Sequence, residues 1–339
     1  MNSKSTVASC RFDRESPELE RLFDDPPPSR ESDRCNPVLI DALRDNDAVL
    51  NLVVVSGTSQ HPAGDTVHLD LLTGAANSVI EQLRQAGIVE RGSVVVETVD
   101  ACLSDTVEAA ERRQSRFEMF TPVWELVDAR IRTDGLYPPS WFALLLIAGV
   151  IAAIGILTNS QILVVAAMVV GPEYGAITSI ARAGTGRDAR TARRGLIALS
   201  VGFTGAIVAS LALGLSIRGA GLTPRAFETG VRPVSDLIST PNVFSTIVAV
   251  LAGIVGIISL TESRASTLIG VFISVTTIPA AADIGLSVGY GSWSEAWGSF
   301  LQLLINVSIL IVVGMTMLFV QKRLWGSVTP VADAPARSL

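Results

Sequence analysis

The chain has 339 residues, is 49% hydrophobic with a mean hydropathy of +0.46, and carries a formal net charge of −6. These averages conceal two parts: residues 1–140 hold 14 Lys+Arg against 24 Asp+Glu, whereas residues 141–320 hold 9 Arg, no Lys and 7 acids. An acidic first part without a basic cluster argues against nucleic acid as a partner, and the second part is too apolar for a soluble domain.

Residues 1–37 are polar, carry Asp24-Asp25-Pro26-Pro27-Pro28 and lack the apolar core of a signal peptide. They read as a disordered tail. Cys10, Cys35 and Cys102 show neither a pairing pattern nor histidine neighbours at metal-ligand spacing, so free thiols in a reducing compartment are expected. Residues 38–103 read as a small cytoplasmic α+β domain. Strands are predicted at 48–56, ending at Gly57, at 66–72 and at 93–99. A helix follows Gly74 with Val79, Ile80 and Leu83 at helical spacing and Gly87 as its stop. Two β-rich halves around one helix predict a ferredoxin-like or ACT-like domain. It is expected in abbreviated form, because no long first crossover helix fits between Gly57 and Asp65. His61 and His68 with Asp65 and Asp70 are too few for a metal site, and none is predicted.

Residues 104–136 form a linker with an amphipathic interfacial helix. Val107, Ala110, Phe117, Phe120, Trp124, Val127 and Ile131 recur at helical spacing, and Thr121-Pro122 ends one helix and begins the next. An ordinary domain-linking helix fits the same pattern. Tyr137 and Trp141 suit the aromatic belt at a membrane boundary.

Residues 137–322 read as an α-helical polytopic membrane domain, with 323–339 as a disordered C-terminal tail. Six spans are predicted near 141–157, 161–181, 195–217, 243–260, 265–288 and 297–320. Asn159-Ser160 caps the second. Arg182, Arg187, Arg190, Arg193 and Arg194 share one loop, and Lys322-Arg323 lies on the same side. Only Arg218, Arg225 and Arg232 are opposite. The positive-inside rule puts both termini in the cytoplasm of a cell (inner or plasma) membrane protein. Gly184-Thr185-Gly186 is a weak phosphate-cradle pattern and reads better as a flexible arginine-rich turn.

Proline interrupts the second span at Gly171-Pro172-Glu173-Tyr174-Gly175 and the fifth at Pro279-Ala280-Ala281-Ala282-Asp283. Each span has a single carboxylate. Proline frees backbone groups that hydrocarbon cannot satisfy, and paired breaks in two halves of three spans are the mark of an inverted repeat with a midplane site. Kinks in packed helices are the plain alternative. Glu173 and Asp283 are the sharpest candidates, because carboxylates at membrane depth are costly and face a cavity, partner or ion. Asn306, with Gln302 one turn earlier, is the polar pair of the last span, able to bind a solute or to bond a neighbouring helix.

Several stretches in order carry a resemblance. They are Gly155-Ile156-Leu157-Thr158-Asn159-Ser160, then Val164-Val165-Ala166-Ala167-Met168-Val169-Val170-Gly171-Pro172 with Gly175, then Ile269-Gly270-Val271 leading to Thr277-Ile278-Pro279-Ala280, and Leu304-Ile305-Asn306-Val307. Together with Ser115-Arg116-Phe117-Glu118 and the strand–helix–strand of 66–99, they resemble the domain-of-unknown-function family 389 of prokaryotic integral membrane proteins, over roughly residues 66–320. The resemblance implies architecture rather than an activity. The chain departs from the family pattern at Glu173-Tyr174, where an apolar pair is usual, and at Pro279-Ala280, where two prolines are common.

The expected function is a membrane transporter or channel-like protein for a small polar solute or ion, sited at the breaks of spans two and five. The alternative is a non-transporting sensor or scaffold whose cytoplasmic domain binds a small molecule or partner. No nucleophile–base–acid constellation points to an enzyme, and no cofactor is expected. Gly149, Gly155, Gly205, Gly214, Gly253 and Gly256 allow close helix packing and fit a homo-oligomer in the lipid bilayer.

Overall fold

A computed structural model of the chain describes residues 5–12, 37–60, 63–99, 102, 104–113, 121–186, 188–262 and 276–326. They divide into two compact units, one within Met1–Leu126 and Leu324–Leu339 and one of Val127–Arg323.

The first unit is a four-stranded sheet in the order β2-β3-β1-β4, with β1 at Ser5–Phe12, β2 at Val49–Gln60, β3 at Ala63–Leu72 and β4 at Gly92–Val99. All neighbouring strands are antiparallel. Helices α1 (Pro37–Arg44), α2 (Ala76–Gln85) and α3 (Ile88–Arg91) supply Leu39, Ile40, Leu43, Val79, Ile80, Leu83 and Ile88 to a core closed by Val67, Leu69 and Leu71 of β3. The alternation of buried Val67, Leu69 and Leu71 around His68 and Asp70 is the period of two that marks a strand with one packed face. β2 runs past the predicted stop at Gly57, because a bulge between Val55 and Ser59 takes up that glycine at φ 68°. The Gly57 N–H donates to Asp65 Oδ1 at 2.9 Å.

Two expectations fail here. Residues 5–12 are not part of a structureless tail, since β1 is the strand between β3 and β4. The small domain also begins upstream of the expected residue 38, because β1 belongs to its sheet and α1 starts at Pro37.

Between the sheet and the apolar region lie α4 (Asp105–Arg113) and α5 (Trp124–Asp134), the latter starting just after Pro122 as expected. The Ser115–Glu118 stretch, Phe117 and Phe120 lie outside the described residues.

The second unit is helical. It contains α6 (Pro139–Leu157), α7 (Gln161–Val170), α8 (Glu173–Gly186) and α9 (Ala189–Gly219), then the short α10 (Arg225–Glu228) and α11 (Pro233–Ser239). α12 (Val243–Thr261), α13 (Thr277–Tyr290) and α14 (Trp293–Gly326) complete it. Among the described residues four helices are long and apolar enough to cross a membrane, namely α6, α9, α12 and α14, and the bent pair α7–α8 makes a fifth. This is a polytopic membrane architecture. Residues 265–275 of the expected fifth span lie outside the described residues, and its remainder is the 14-residue α13. α14 continues to Gly326, so the expected tail does not begin at 323.

Helix ends follow local chemistry. Ser160 caps α7 by accepting from the Leu163 N–H, with Asn159 left-handed at φ 52°. Asn242 and Ser245 form a capping box on α12. Asp188 caps α9 through the N–H groups of Arg190 and Thr191, whereas Gly184-Thr185-Gly186 is the last turn of α8 and no cradle. Close packing uses small residues: Gly149 meets Ala206, Gly253 meets Val313 and Gly285 abuts the Ile207 carbonyl, and the Ser210 hydroxyl donates to the Gly149 carbonyl at 3.2 Å.

Candidate functional site

The break in the second span follows from two residues. Gly171 is extended, with φ −70° and ψ 132°, as a residue before proline must be, and Pro172 has no N–H to continue the ladder of α7. The chain turns by 51° and restarts as α8 at Glu173. The Pro172 carbonyl is taken by the Trp141 indole N–H at 3.2 Å, which keeps it from being stranded in apolar surroundings.

α13 begins at Thr277, with Thr276 before it. Pro279 falls in its first turn, where no intrahelical donor is lost. The starts of α8 and α13 meet. The Thr277 hydroxyl donates to Glu173 Oε1 at 2.7 Å, so the first residues of two 14-residue helices, 104 positions apart, are bonded to each other. Gly171 packs directly on Ile278, and a side chain there would collide with it and with Glu173 Oε2. From α14, Asn306 Nδ2 donates to Thr276 Oγ1 at 3.1 Å and Gln302 Nε2 donates to Asn306 Oδ1 at 3.1 Å. Glu173, Gln302, Asn306 and Thr277 are buried. Glu173 Oε2 and Gln302 Oε1 have no protein partner among the described residues. Two acceptors are therefore held in a buried polar cluster with capacity to spare, an expensive state unless something binds them.

The remaining candidates lie elsewhere. Tyr174 turns toward α12, its ring against Gly256. Gly175 lies against Asp134 of α5, and a β-carbon at 175 would crowd the Asp134 side chain and carbonyl. Asp283 lies six residues past Thr277, about 9 Å along α13, fully buried and bonded at both oxygens by the hydroxyls of Ser235 and Ser299, each at 2.6 Å. The expected pair of acids is thus two clusters on one helix face of α14, and Ser235, Ser299 and Thr276 were not singled out by sequence. Polar residues at 299, 302 and 306 in an apolar helix were the available signal for Ser299, whereas nothing in the loop sequence marked Ser235.

The half-helix that presents Glu173 is clasped along its length by α5. Arg182 donates to both oxygens of Asp128, Nε to Oδ1 and Nη2 to Oδ2, each at 2.6 Å, and the Ser179 hydroxyl donates to the Ile131 carbonyl at 3.2 Å. Burial alone would raise the Asp128 pKa. The hydrogen bonds and charge of Arg182, with Lys322 and Arg132 behind it, more than offset this and hold the carboxyl below its ordinary value. Asp134, beside Gly175, is moved the other way by burial, only partly opposed by Arg130.

Four apolar helices, a bent span and a polar cluster at its break define the class as a helical multispan membrane protein with an added small sheet domain. Residues 168–312 match the model of the family described as Domain of unknown function (DUF389), the family that the ordered motifs resemble. The chain is also similar to "Uncharacterized protein MJ0678" of Methanocaldococcus jannaschii, at 24% identity over 164 residues, 48% of each chain. It thus spans about half the length of that curated relative. No solved structure matches the chain.

Proposed function

We propose that the protein is a membrane transporter or channel-like protein for a small polar solute or ion, which binds where α8 and α13 begin. The observation that carries this is the Glu173–Thr277 bond between two half-helix starts, with Glu173 Oε2 buried and unpartnered among the described residues. An anchor has no need of backbone breaks in hydrocarbon, whereas paired breaks at a repeat interface are how such proteins build a site.

The helix lengths support the inverted repeat. α6, α8 and α9 have 19, 14 and 31 residues, and α12, α13 and α14 have 19, 14 and 34. α13 packs on the first half against α6 and α9, while α8 packs on α9 of its own half and reaches the second half through Tyr174 at Gly256 and Gly184 at Met315. In this reading the chain crosses the cell membrane six times, and the termini are cytoplasmic. The strand order of the first unit, with α1 and α2 as its crossovers, supports a ferredoxin-like regulatory or assembly module.

Glu173→Gln keeps the size and one hydrogen bond and removes the charge. In reconstituted vesicles tested with a panel of small polar solutes and monovalent ions, it is expected to reduce flux on the order of tenfold, as the loss of one charge-assisted interaction of about 1.5 kcal/mol implies. The melting temperature in detergent should stay close to that of the parent. Parent-like flux in the folded variant would refute the site.

A further inference from the structure

α14 carries a polar stripe. Glu295, Ser299, Gln302 and Asn306 are spaced four, three and four residues apart, which puts them on one face over about 16 Å of helix. The last three are buried. At the outer end Glu295 is 27% exposed and accepts from Arg232 Nη1 at 2.8 Å. One turn inward Ser299 bonds Asp283, and at the inner end Asn306 bonds Thr276 beside the Glu173–Thr277 pair. The next residue of the stripe is Leu310, buried and apolar. The polar line therefore has one end at the rim and the other at the break.

We propose that this stripe is a one-sided proton path from the rim at Arg232–Glu295 to Glu173, with Asp283 as the residue that carries the proton along it. The inference rests on the transport reading and names the ion.

The chemistry of Asp283 selects the proton. Each of its oxygens already accepts one serine hydroxyl, and among the described residues no group of three His, Cys, Asp or Glu side chains exists, so a transition-metal ion would find too few ligands. A proton needs one oxygen and a chain of hydroxyls that can both donate and accept. When Asp283 takes a proton, its new O–H turns to a serine oxygen, and that serine's hydrogen swings away. When the proton leaves toward Glu173, the carboxylate is restored and the serines return to donating. Ser287, four residues on along α13, and Gln302 add a hydroxyl and an amide oxygen with no protein partner among the described residues. The amides of Gln302 and Asn306 carry no proton themselves; Gln302 Oε1 accepts from water, and water carries the proton over this stretch to the hydroxyls of Thr276 and Thr277 and so to Glu173.

The charges near Asp283 are few. Arg232 and Glu295 face it from the rim, and they are paired with each other, so the mouth carries little net charge against proton entry. Arg232 is fixed further by the Phe227 carbonyl, by Ser292 and by the Phe227 ring, 4.1 Å from its guanidinium carbon. Arg218 of α9 is occupied with the Gly289 carbonyl at the outer end of α13, and Glu173 is the acid at the inner end. Exposed Trp293 and Trp297 at the start of α14 mark the rim as a membrane interface.

The test uses the full-length protein in phospholipid vesicles, with proton uptake driven by a potassium diffusion potential and read by an internal pH dye. The parent is expected to take up protons, Asp283→Asn to fall to the level of protein-free vesicles, and Ser299→Ala to lose several-fold. Ser259→Ala, a buried hydroxyl of α12 outside the stripe, should behave as the parent. Detergent melting of each variant checks folding. If Asp283→Asn does not fold, the double variant Ser235→Ala/Ser299→Ala carries the decision, and unchanged uptake overturns the path. A folded Asp283→Asn that conducts like the parent also overturns it. The same vesicles under a sodium gradient at equal pH separate the two readings. Sodium movement without proton movement removes the proton path and leaves the transport site standing. A parent that moves neither protons, sodium nor any solute of the panel removes both.

Discussion

Asp128 shows how a single side chain ties the linker to the broken span. Its carboxylate meets the Arg182 guanidinium with two parallel bonds in a half-buried setting, the geometry in which such pairs are worth most. Because its pKa in the folded protein is depressed, the pair stabilises fully above the unfolded value of about 4 and is lost as pH falls through the lower folded value. Asp128→Asn should therefore lower stability at neutral pH by about 1.5–3 kcal/mol, the range for hydrogen bonds to charged groups. The gap to the parent should close below pH of about 4. Thermal melts at a series of pH values check this, and an equal gap at neutral and strongly acid pH would refute it. The sequence offered only part of this. Glu173 stood out because an acid amid apolar residues is anomalous along the chain. Its partner Thr277 did not, since threonine is ordinary in any helix and the bond joins residues 104 positions apart. Asp128 looked like one more charge on the solvent face of an amphipathic stretch.

At the level of elements, amphipathic and apolar periods located β2, β3, β4, α2 and the long helices to within a few residues, because each carries its own pattern. β1 carries none. Ser-Thr-Val-Ala-Ser-Cys-Arg-Phe has no run of large apolar residues and no strict alternation, and its partner strands lie far along the chain, at Thr66–Leu72 and Gly92–Val99. A strand defined by distant backbone pairing is invisible to a local window. Its removal has a definite consequence. Deleting residues 1–12 takes away the strand between β3 and β4, splits the sheet and leaves two long unpaired edges. The truncated protein is expected to lose protease resistance across residues 37–113 and to aggregate in detergent at temperatures where the parent is monodisperse. A truncated chain as resistant as the parent would show that β1 adds nothing to the sheet.

For the whole molecule, sidedness connects the breaks, the stripe and the soluble unit. The loop between α8 and α9 and the end of α14 bring Arg182, Arg190, Arg193, Arg194, Lys322 and Arg323 to one end of their helices. The α9–α12 connection has Arg218, Arg225 and Arg232, of which Arg232 is paired with Glu295 and Arg218 is spent on a backbone carbonyl. Retention of the more basic end in the cytoplasm puts the rim of the stripe on the outer side. Exposed Arg190 and Arg225 report the two ends. With Cys10, Cys35 and Cys102 replaced, Arg225→Cys should react with a membrane-impermeant thiol reagent in intact cells, and Arg190→Cys only after permeabilisation. Labelling of Arg190→Cys from outside would invert the molecule. The path from Glu295 would then open to the cytoplasm, and the arginine-rich end would lie outside, against the positive-inside rule.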